Sequence, residues 1–465
     1  MRTAIPIAPI PTVESNRVAT EDVLDREAIA LEEPAAEPAT EQRLGQNRNF
    51  RWICAGVSIA TLGSQFSALA LPWLVLKMTG DTLALATVMA ISGVPQIFLL
   101  LFGGSLADRF SPKRILVWAY LTCALLLIAL GGLLFSGLLK LWMIDAFAFS
   151  TGLVFGMSIP ASFSLIAAAL PGHMVPAGSS VIGSIRQALA FVGPLLAGAL
   201  LGFSGDGQAA GHEVLGSQPL FAAAFFLDGL GLLFVAWTTA NIVFRTSSEA
   251  PGEGVRNGFN ILPALRWFLA DRQVLTVVCY WSLIVFFLSG PVRIALPLLA
   301  EQNTALGAKA YGILVSANAA GVFLGMTALG LLRRFVADRL WPVILCLDAL
   351  AALIVVGIGL LHPQLQLAVF VYAALFVLVG TRAGFVEIGW FSWLQQRFPD
   401  EIRGRATSIF MVVSTANIAA SVTFSGWLTR HVQASELFLL AGAATVSLAL
   451  LGMLLRALGV LRVDA

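Results

Sequence analysis

The sequence predicts an all-α membrane protein whose twelve transmembrane helices form two six-helix bundles. Three observations carry this reading. Only 12% of the 465 residues are charged, about half the share of a soluble globular chain. From residue 50 onward, apolar runs of membrane length follow one another, and each crossing needs roughly 20 apolar residues. The joints between them alternate between arginine-rich and nearly uncharged, the mark of a polytopic chain with one fixed orientation.

The first segment, residues 1–47, stands apart. It holds four arginines (Arg2, Arg17, Arg26 and Arg43) against nine acids and is rich in Pro, Glu and Ala, with no sustained apolar stripe. That composition predicts a disordered, acidic cytoplasmic tail. No apolar core preceded by positive charge is present, so it does not read as a signal peptide.

Twelve spans follow, at 51–77, 82–105, 115–136, 140–168, 179–202, 220–243, 273–299, 309–332, 341–361, 365–395, 403–428 and 435–457. The fourth and tenth are long enough to tilt or to continue past the bilayer. One set of joints carries Arg48 and Arg51; Arg109, Lys113 and Arg114; Arg245 to Arg272; Arg333, Arg334 and Arg339; Arg397, Arg403 and Arg405; and Arg456 and Arg462. The alternate set carries only Lys77, Lys140, Lys309 and Arg430. The basic set is therefore expected on the cytoplasmic side, with both termini inside, which demands an even number of spans.

The longest internal joint, 245–272, begins polar and glycine-rich and ends in the amphipathic stretch Phe259 to Arg272. It predicts a flexible linker followed by a helix lying on the membrane surface. This linker separates an N-terminal bundle, 48–244, from a C-terminal bundle, 273–465. The halves read as a degenerate repeat. Pro171 and Pro399 lie 228 residues apart, and Gly104 and Gly330 lie 226 apart, each glycine followed by basic residues. Parallel repeats around a central site are a transporter architecture.

The most concentrated signal is the turn from Gly103 to Arg114. It places Asp108, Arg109, Lys113 and Arg114 between two uncharged runs, Leu83–Phe102 and Ile115–Leu139. Such charge belongs at a membrane surface. Gly103 and Gly104 admit a neighbouring helix, and Asp108 beside Arg109 can lock helix ends together, the makings of a gate. The run resembles the cytoplasmic signature of the major facilitator superfamily, Gly-x-Leu-Ala-Asp-Arg-x-Gly-Arg-Lys. Gly104, Leu106, Ala107, Asp108, Arg109 and Lys113 match, while Ser111 and Pro112 stand where the pattern has Gly and Arg. The resemblance covers residues about 50 to 457. Leu62 to Trp73, with Gln65 and Pro72, and Pro399 to Arg405 are similar to the macrolide-efflux and enterobactin (siderophore) exporter branch. Gly193-Pro194 with Gly198 resembles a shortened antiporter motif; the plainer reading is an ordinary proline kink.

The resemblance implies that the first, fourth, seventh and tenth helices line a central cavity. A charge at mid-bilayer costs at least ~2.5–3.5 kcal/mol, so each one needs a reason. Arg382 and Glu387 share the tenth span but sit about 140° apart around the helix, so each is expected to meet a different partner. Glu387 is the first candidate for a proton-carrying carboxylate, against a structural ion pair. Asp145 either faces the cavity or sits among headgroups, and Arg293 either faces substrate or snorkels. Arg186 reads as structural, reaching Asp108 or a helix end. Asp228 and Asp348, on helices the resemblance places outside the cavity, are expected to pack between helices. Among the buried amides Gln65, Asn318 and Asn417, Gln65 is the best placed for substrate. The aromatic residues Phe66, Trp73, Phe149, Phe286, Phe287, Trp390, Phe391 and Trp393 suit an amphipathic organic molecule, although such stripes also simply pack.

Several functions are excluded. His173, His212, His362 and His431 all lie in joints, so no histidine relay crosses the membrane. No Walker A or Gly-x-Ser-x-Gly sequence occurs, which removes ATP drive within this chain and the common hydrolase nucleophile. The four cysteines lie in apolar runs without a CxxC, so no metal framework is expected. The expectation is a monomeric, cofactor-free, non-enzymatic exporter of the cytoplasmic membrane. It binds a small molecule and no nucleic acid and draws on the proton gradient. A dedicated siderophore or metabolite exporter is the alternative, and a non-transporting receptor or scaffold the reading from another class.

Overall fold

Long apolar stretches become helices here because only a helix satisfies every backbone N–H and C=O within one segment. The computed structural model describes residues 44–109, 111–202, 218–242, 262–302, 307–336, 339–361, 368–398 and 403–457. The tail before residue 44 and the polar part of the 245–272 joint lie outside them. A 3-10 turn, Leu44–Gln46, precedes twelve helices long and apolar enough to cross a membrane. In the first half these are α1 (Arg48–Thr79), α2 (Thr82–Arg109), α3 (Pro112–Phe135), α4 (Leu141–Ala169), α5 (Val175–Gly202) and α6 (Gln218–Ala240). In the second they are α7 (Arg272–Gln302), α8 (Ala308–Val336), α9 (Leu340–Leu360), α10 (Ala368–Arg397), α11 (Arg403–Leu428) and α12 (Ala434–Ala457). The amphipathic stretch of the joint forms a short linker helix, Leu262–Ala270.

Several helix ends run further than the apolar pattern alone indicates, two of them into charged turns. Helix α2 continues to Arg109 and α8 to Val336. The charged turn is thus the last turn of a helix and a two-residue joint, not a loop. Ser111 occupies the N-cap position of α3 and Pro112 its first turn. Proline suits that place, where its missing N–H would be unpaired anyway. The departure from the family signature at Ser111 and Pro112 therefore starts the next helix.

Within the first half α2 packs on α4 and α3 on α6; within the second α8 packs on α10 and α9 on α12. A shift of six helices maps one set of pairs onto the other. The halves meet along α2–α11 and α5–α8, which the same shift exchanges. Close crossings use small residues. In α8–α10, Gly321 and Gly325 face the carbonyls of Val377 and Thr381, while Gly380 and Gly384 face those of Asn318 and Val322. A Cβ at any of the four would collide with backbone, so the sequence needs glycine at both i and i+4 on both helices. Large apolar side chains such as Trp118, Phe135, Trp142 and Phe335 point outward, as a lipid-facing surface requires.

The two ends of the bundle are held differently. At the face where α1 begins, here the terminal face, the described contacts tie helices within one half. Asn49 Nδ2 donates to the Ala169 carbonyl (3.2 Å), and Lys113 Nζ to that of Ile242 (2.7 Å). Arg397 reaches Asp271 (3.0 Å) and stacks over Trp393 (5.4 Å). There the linker helix is seated by Trp267 and Phe268 against Phe398. At the far face the contacts join the halves. Lys77 meets Glu301 (3.5 Å), Arg430 meets Asp81 (3.0 Å), and the hydroxyls of Thr82 and Thr429 lie 2.5 Å apart.

Candidate functional site

Helices α1, α5, α7, α8, α9 and α10 carry the interhelical contacts around the candidate residues. On α10 the angular separation of Arg382 and Glu387 has its full effect. Arg382 is buried, with Nε and Nη2 both 2.5 Å from Asp348 Oδ1 on α9. The hydroxyl of Tyr280, on α7, donates to Asp348 Oδ2 (2.8 Å). Asp348 is 0% exposed and its charge is matched on both oxygens. A buried carboxylate is tolerated only with such a partner. Arg382 is thereby committed to a three-helix tie among α7, α9 and α10.

Glu387, by contrast, is exposed, lies within electrostatic reach of Arg382, and makes no ion pair among the described residues. Arg293, on α7, is also solvent-exposed although protein surrounds it, and its electrostatic neighbour is Tyr311. Tyr311 stacks on Trp73 of α1 (centroids 5.9 Å), and Lys77 lies over the other side of the site at 5.5 Å from the Trp73 ring. Glu387 and Arg293 thus stand as one acid and one base without an ion-pair partner among the described residues.

Gln65 is half-buried on α1, and its aliphatic stem fills the space left by the missing side chain of Gly193 on α5. Of the antiporter-like bend, Gly193 meets α1, while Pro194 and Gly198 sit at the α5–α8 crossing. Pro194 presents its carbonyl to Gly312, and a Cβ on Gly198 would lie 2.8 Å from the Gly312 Cα. Gln187, which sequence reasoning passed over, donates from Nε2 to the Ala319 carbonyl across this interface (3.0 Å).

The other predicted residues are dispersed. Asp145 is half-buried near the start of α4, away from this cluster and close to the far face. Arg186 is exposed on α5 and lies near Tyr120 of α3. Asn417 donates to the Ser282 carbonyl (2.9 Å), an interhelical bond between α11 and α7. Trp73 and Trp390 are fully buried, the latter stacked on Trp281 (5.0 Å) beside Phe410, so both serve the core. Of the gate motif, Lys113 makes the bond to Ile242 described above and Arg114 is exposed. The side chains of Asp108 and Arg109, with the position of Gly104, fall outside those described, as do those of Arg333 and Arg334.

Two aspartates outside the spans combine two roles. Asp81 accepts the Leu83 N–H with Oδ1 (2.8 Å), capping α2, and Arg430 with Oδ2. The Leu83 N–H and then the arginine hold its carboxyl below the ordinary value, outweighing partial burial. Asp271 caps α7 through the N–H groups of Gln273 and Val274 and takes Arg397 on its second oxygen. Burial opposes its ionisation, but Arg397 and those N–H groups prevail and its carboxyl also lies below the ordinary value.

Comparison with known proteins agrees with this architecture. The profile of the Major Facilitator Superfamily matches residues 53–422. The enterobactin exporter EntS of Escherichia coli O6:K15:H31 is 26% identical over 384 residues, covering 80% of this chain and 82% of that protein. EntS of Salmonella choleraesuis is 25% identical over 419 residues, covering 87% and 91%. Among solved structures, the nucleoside transporter NupG superposes with a TM-score of 0.64 at 12% identity, over 88% of this chain and 98% of that one. The D-xylose–proton symporter gives 0.63 at 15% identity, over 87% and 96%. At these identities the superpositions speak for the fold.

Proposed function

Since the chain belongs to the major facilitator superfamily and is a membrane transporter, not an enzyme, we propose that it is a proton-coupled exporter of amphipathic organic molecules. It works by alternating access across the cytoplasmic membrane. The basic joints put the terminal face in the cytoplasm. On this reading the ties between halves at the far face support a state open to the cytoplasm, in which substrate enters from inside. Release outward needs the Lys77–Glu301 and Asp81–Arg430 pairs to part while the cytoplasmic ends close.

The observation that carries the coupling is the division of labour on α10. Arg382 is neutralised by Asp348, whereas Glu387 is exposed, acidic and without an ion-pair partner among the described residues. A carboxyl in that position can take a proton in one state and give it up in the other. In vesicles with an imposed pH gradient, Glu387→Gln is expected to abolish gradient-driven efflux while leaving expression and thermal stability intact. Undiminished gradient-driven efflux from that variant excludes the role.

A second reading is favoured by the relatives. Two proteins named enterobactin exporter match most of this chain at 25–26% identity, which supports a dedicated siderophore exporter. A transport panel separates the two: a siderophore exporter moves catecholate chelators and leaves cationic drugs behind, and a broad exporter does the reverse.

A further inference from the structure

Asp228, in the middle of α6, is a charge-bearing residue that the proposed mechanism leaves unused. It is 4% exposed, and its Oδ1 has no hydrogen-bond partner. Ser67 Oγ on α1 lies beside the same carboxyl and, like its Oδ1, is without a hydrogen-bond partner. The backbones touch here: a Cβ on Gly63 would sit 2.8 Å from Asp228 Oδ1 and 3.1 Å from its Cα. Among the described residues no cation answers the acid. The titratable group facing it from α3 is the thiol of Cys123. Helix α1 presents Gly63 and Ser67, and the charge of α5, Arg186, lies toward Tyr120 instead. A buried carboxylate with no cation is costly, and one carboxyl with one hydroxyl is too few ligands for a metal ion, so a proton is the ligand that fits.

The position of Asp228 gives that proton a consequence. Gly63 and Ser67 are one turn apart on the face of α1 that meets α6. Gln65, between them in sequence, lies on the other side, seated on Gly193 of α5. The next residue, Pro194, turns its carbonyl onto Gly312 of α8, in the other half. An unbroken series of contacts therefore runs from Asp228 through α1 and α5 to the seam between the halves.

We propose that Asp228 is a proton-binding site of the first half, whose occupancy sets how α5 and α8 meet. With the proton on, α1 closes against α6. When the carboxyl releases its proton to water, the bare charge draws water in between α1 and α6, pushing α1 toward α5 and shifting the Gln65–Gly193 contact. The inference rests on the alternating-access reading, in which the halves reorient, but not on the role of Glu387.

The test is an infrared pH titration of the full-length protein in lipid nanodiscs, without substrate. The expected result is a protonated-carboxyl C=O band that disappears as pH rises, is absent from Asp228→Asn and is retained by Glu387→Gln. A band unchanged in Asp228→Asn overturns the site. Should that variant not fold, Ser67→Ala serves instead, because losing the neighbouring hydroxyl is expected to move the band, and an unmoved band is the overturning result. The relay is tested by Gly193→Ala, which touches Gln65 but not Asp228. It is expected to move the titration midpoint by about half a pH unit or more, and an unmoved midpoint overturns the relay. None of these measurements involves transport, so their failure is separable from a failure of the efflux experiment on Glu387.

Discussion

Among the described residues each half of the molecule buries one aspartate within a helix, and the two are treated in opposite ways. Asp348 has Arg382 on one oxygen and Tyr280 on the other. Asp228 has an unpaired oxygen against the backbone of α1 and an unpaired hydroxyl beside it. The first is a finished ion pair that fastens α7, α9 and α10 together. The second is an unfinished site where the backbones of α1 and α6 touch. The contrast separates a charge kept for architecture from one available for work.

The comparison is broken most forcefully at the finished pair. Asp348→Asn leaves Arg382 buried without its counter-charge and is expected to cost about 3–5 kcal/mol, read as a large fall in thermal stability in detergent. Replacing both partners, Asp348→Leu with Arg382→Met, is expected to recover most of that loss, since matched apolar groups often substitute for a buried pair. Failure of the double variant to recover shows that Tyr280 or the interior also depends on the pair. Asp228→Asn is expected to change stability by no more than about 1 kcal/mol, the scale of an interhelical hydrogen bond in lipid. A loss as large as that of Asp348→Asn erases the distinction between the two halves.

The smallest effect concerns the far-face tie. The side chains of Asp81 and Arg430 are 40% and 52% exposed, so breaking this pair by Asp81→Asn is expected to cost only about 0.2–1 kcal/mol. Because the folded state holds the Asp81 carboxyl below its ordinary value, this contribution is present at neutral pH and disappears as pH falls through that lowered value. Melting curves of the parent and Asp81→Asn are expected to differ slightly at neutral pH and to converge in acid. A gap that widens on acidification refutes the assignment.

Much of the fold was legible because membrane helices obey a length rule and a charge rule together. All twelve spans lie where apolar length put them. The ends that ran on into charged turns, at Arg109 and Val336, are those where a helix carries its charges past the hydrocarbon, and apolarity is silent there. Helical geometry also correctly set Arg382 and Glu387 apart. The sequence could not show that Arg382 and Asp348, 34 residues apart, meet at all, because a pairing between helices depends on how they pack. Gln187 was missed for the same reason: its acceptor is a backbone carbonyl, which leaves no trace in residue identity. Gly193 and Gly198 were noticed as a motif, but their seats for Gln65 and Gly312 became visible only in three dimensions.

The crossing of α5 and α8 at Gly198 and Gly312 has a mechanical meaning. Bare backbone meets bare backbone there, with no rotamer to freeze and no side-chain bond to break at the point of contact. Such a joint can act as a bearing, while side chains grip beside it, at Gln187–Ala319, and at the far face, at Lys77–Glu301 and Asp81–Arg430. Cargo preference and turnover speed can then evolve separately, one through the residues lining the interior and the other through the grips, while the bearing stays as it is.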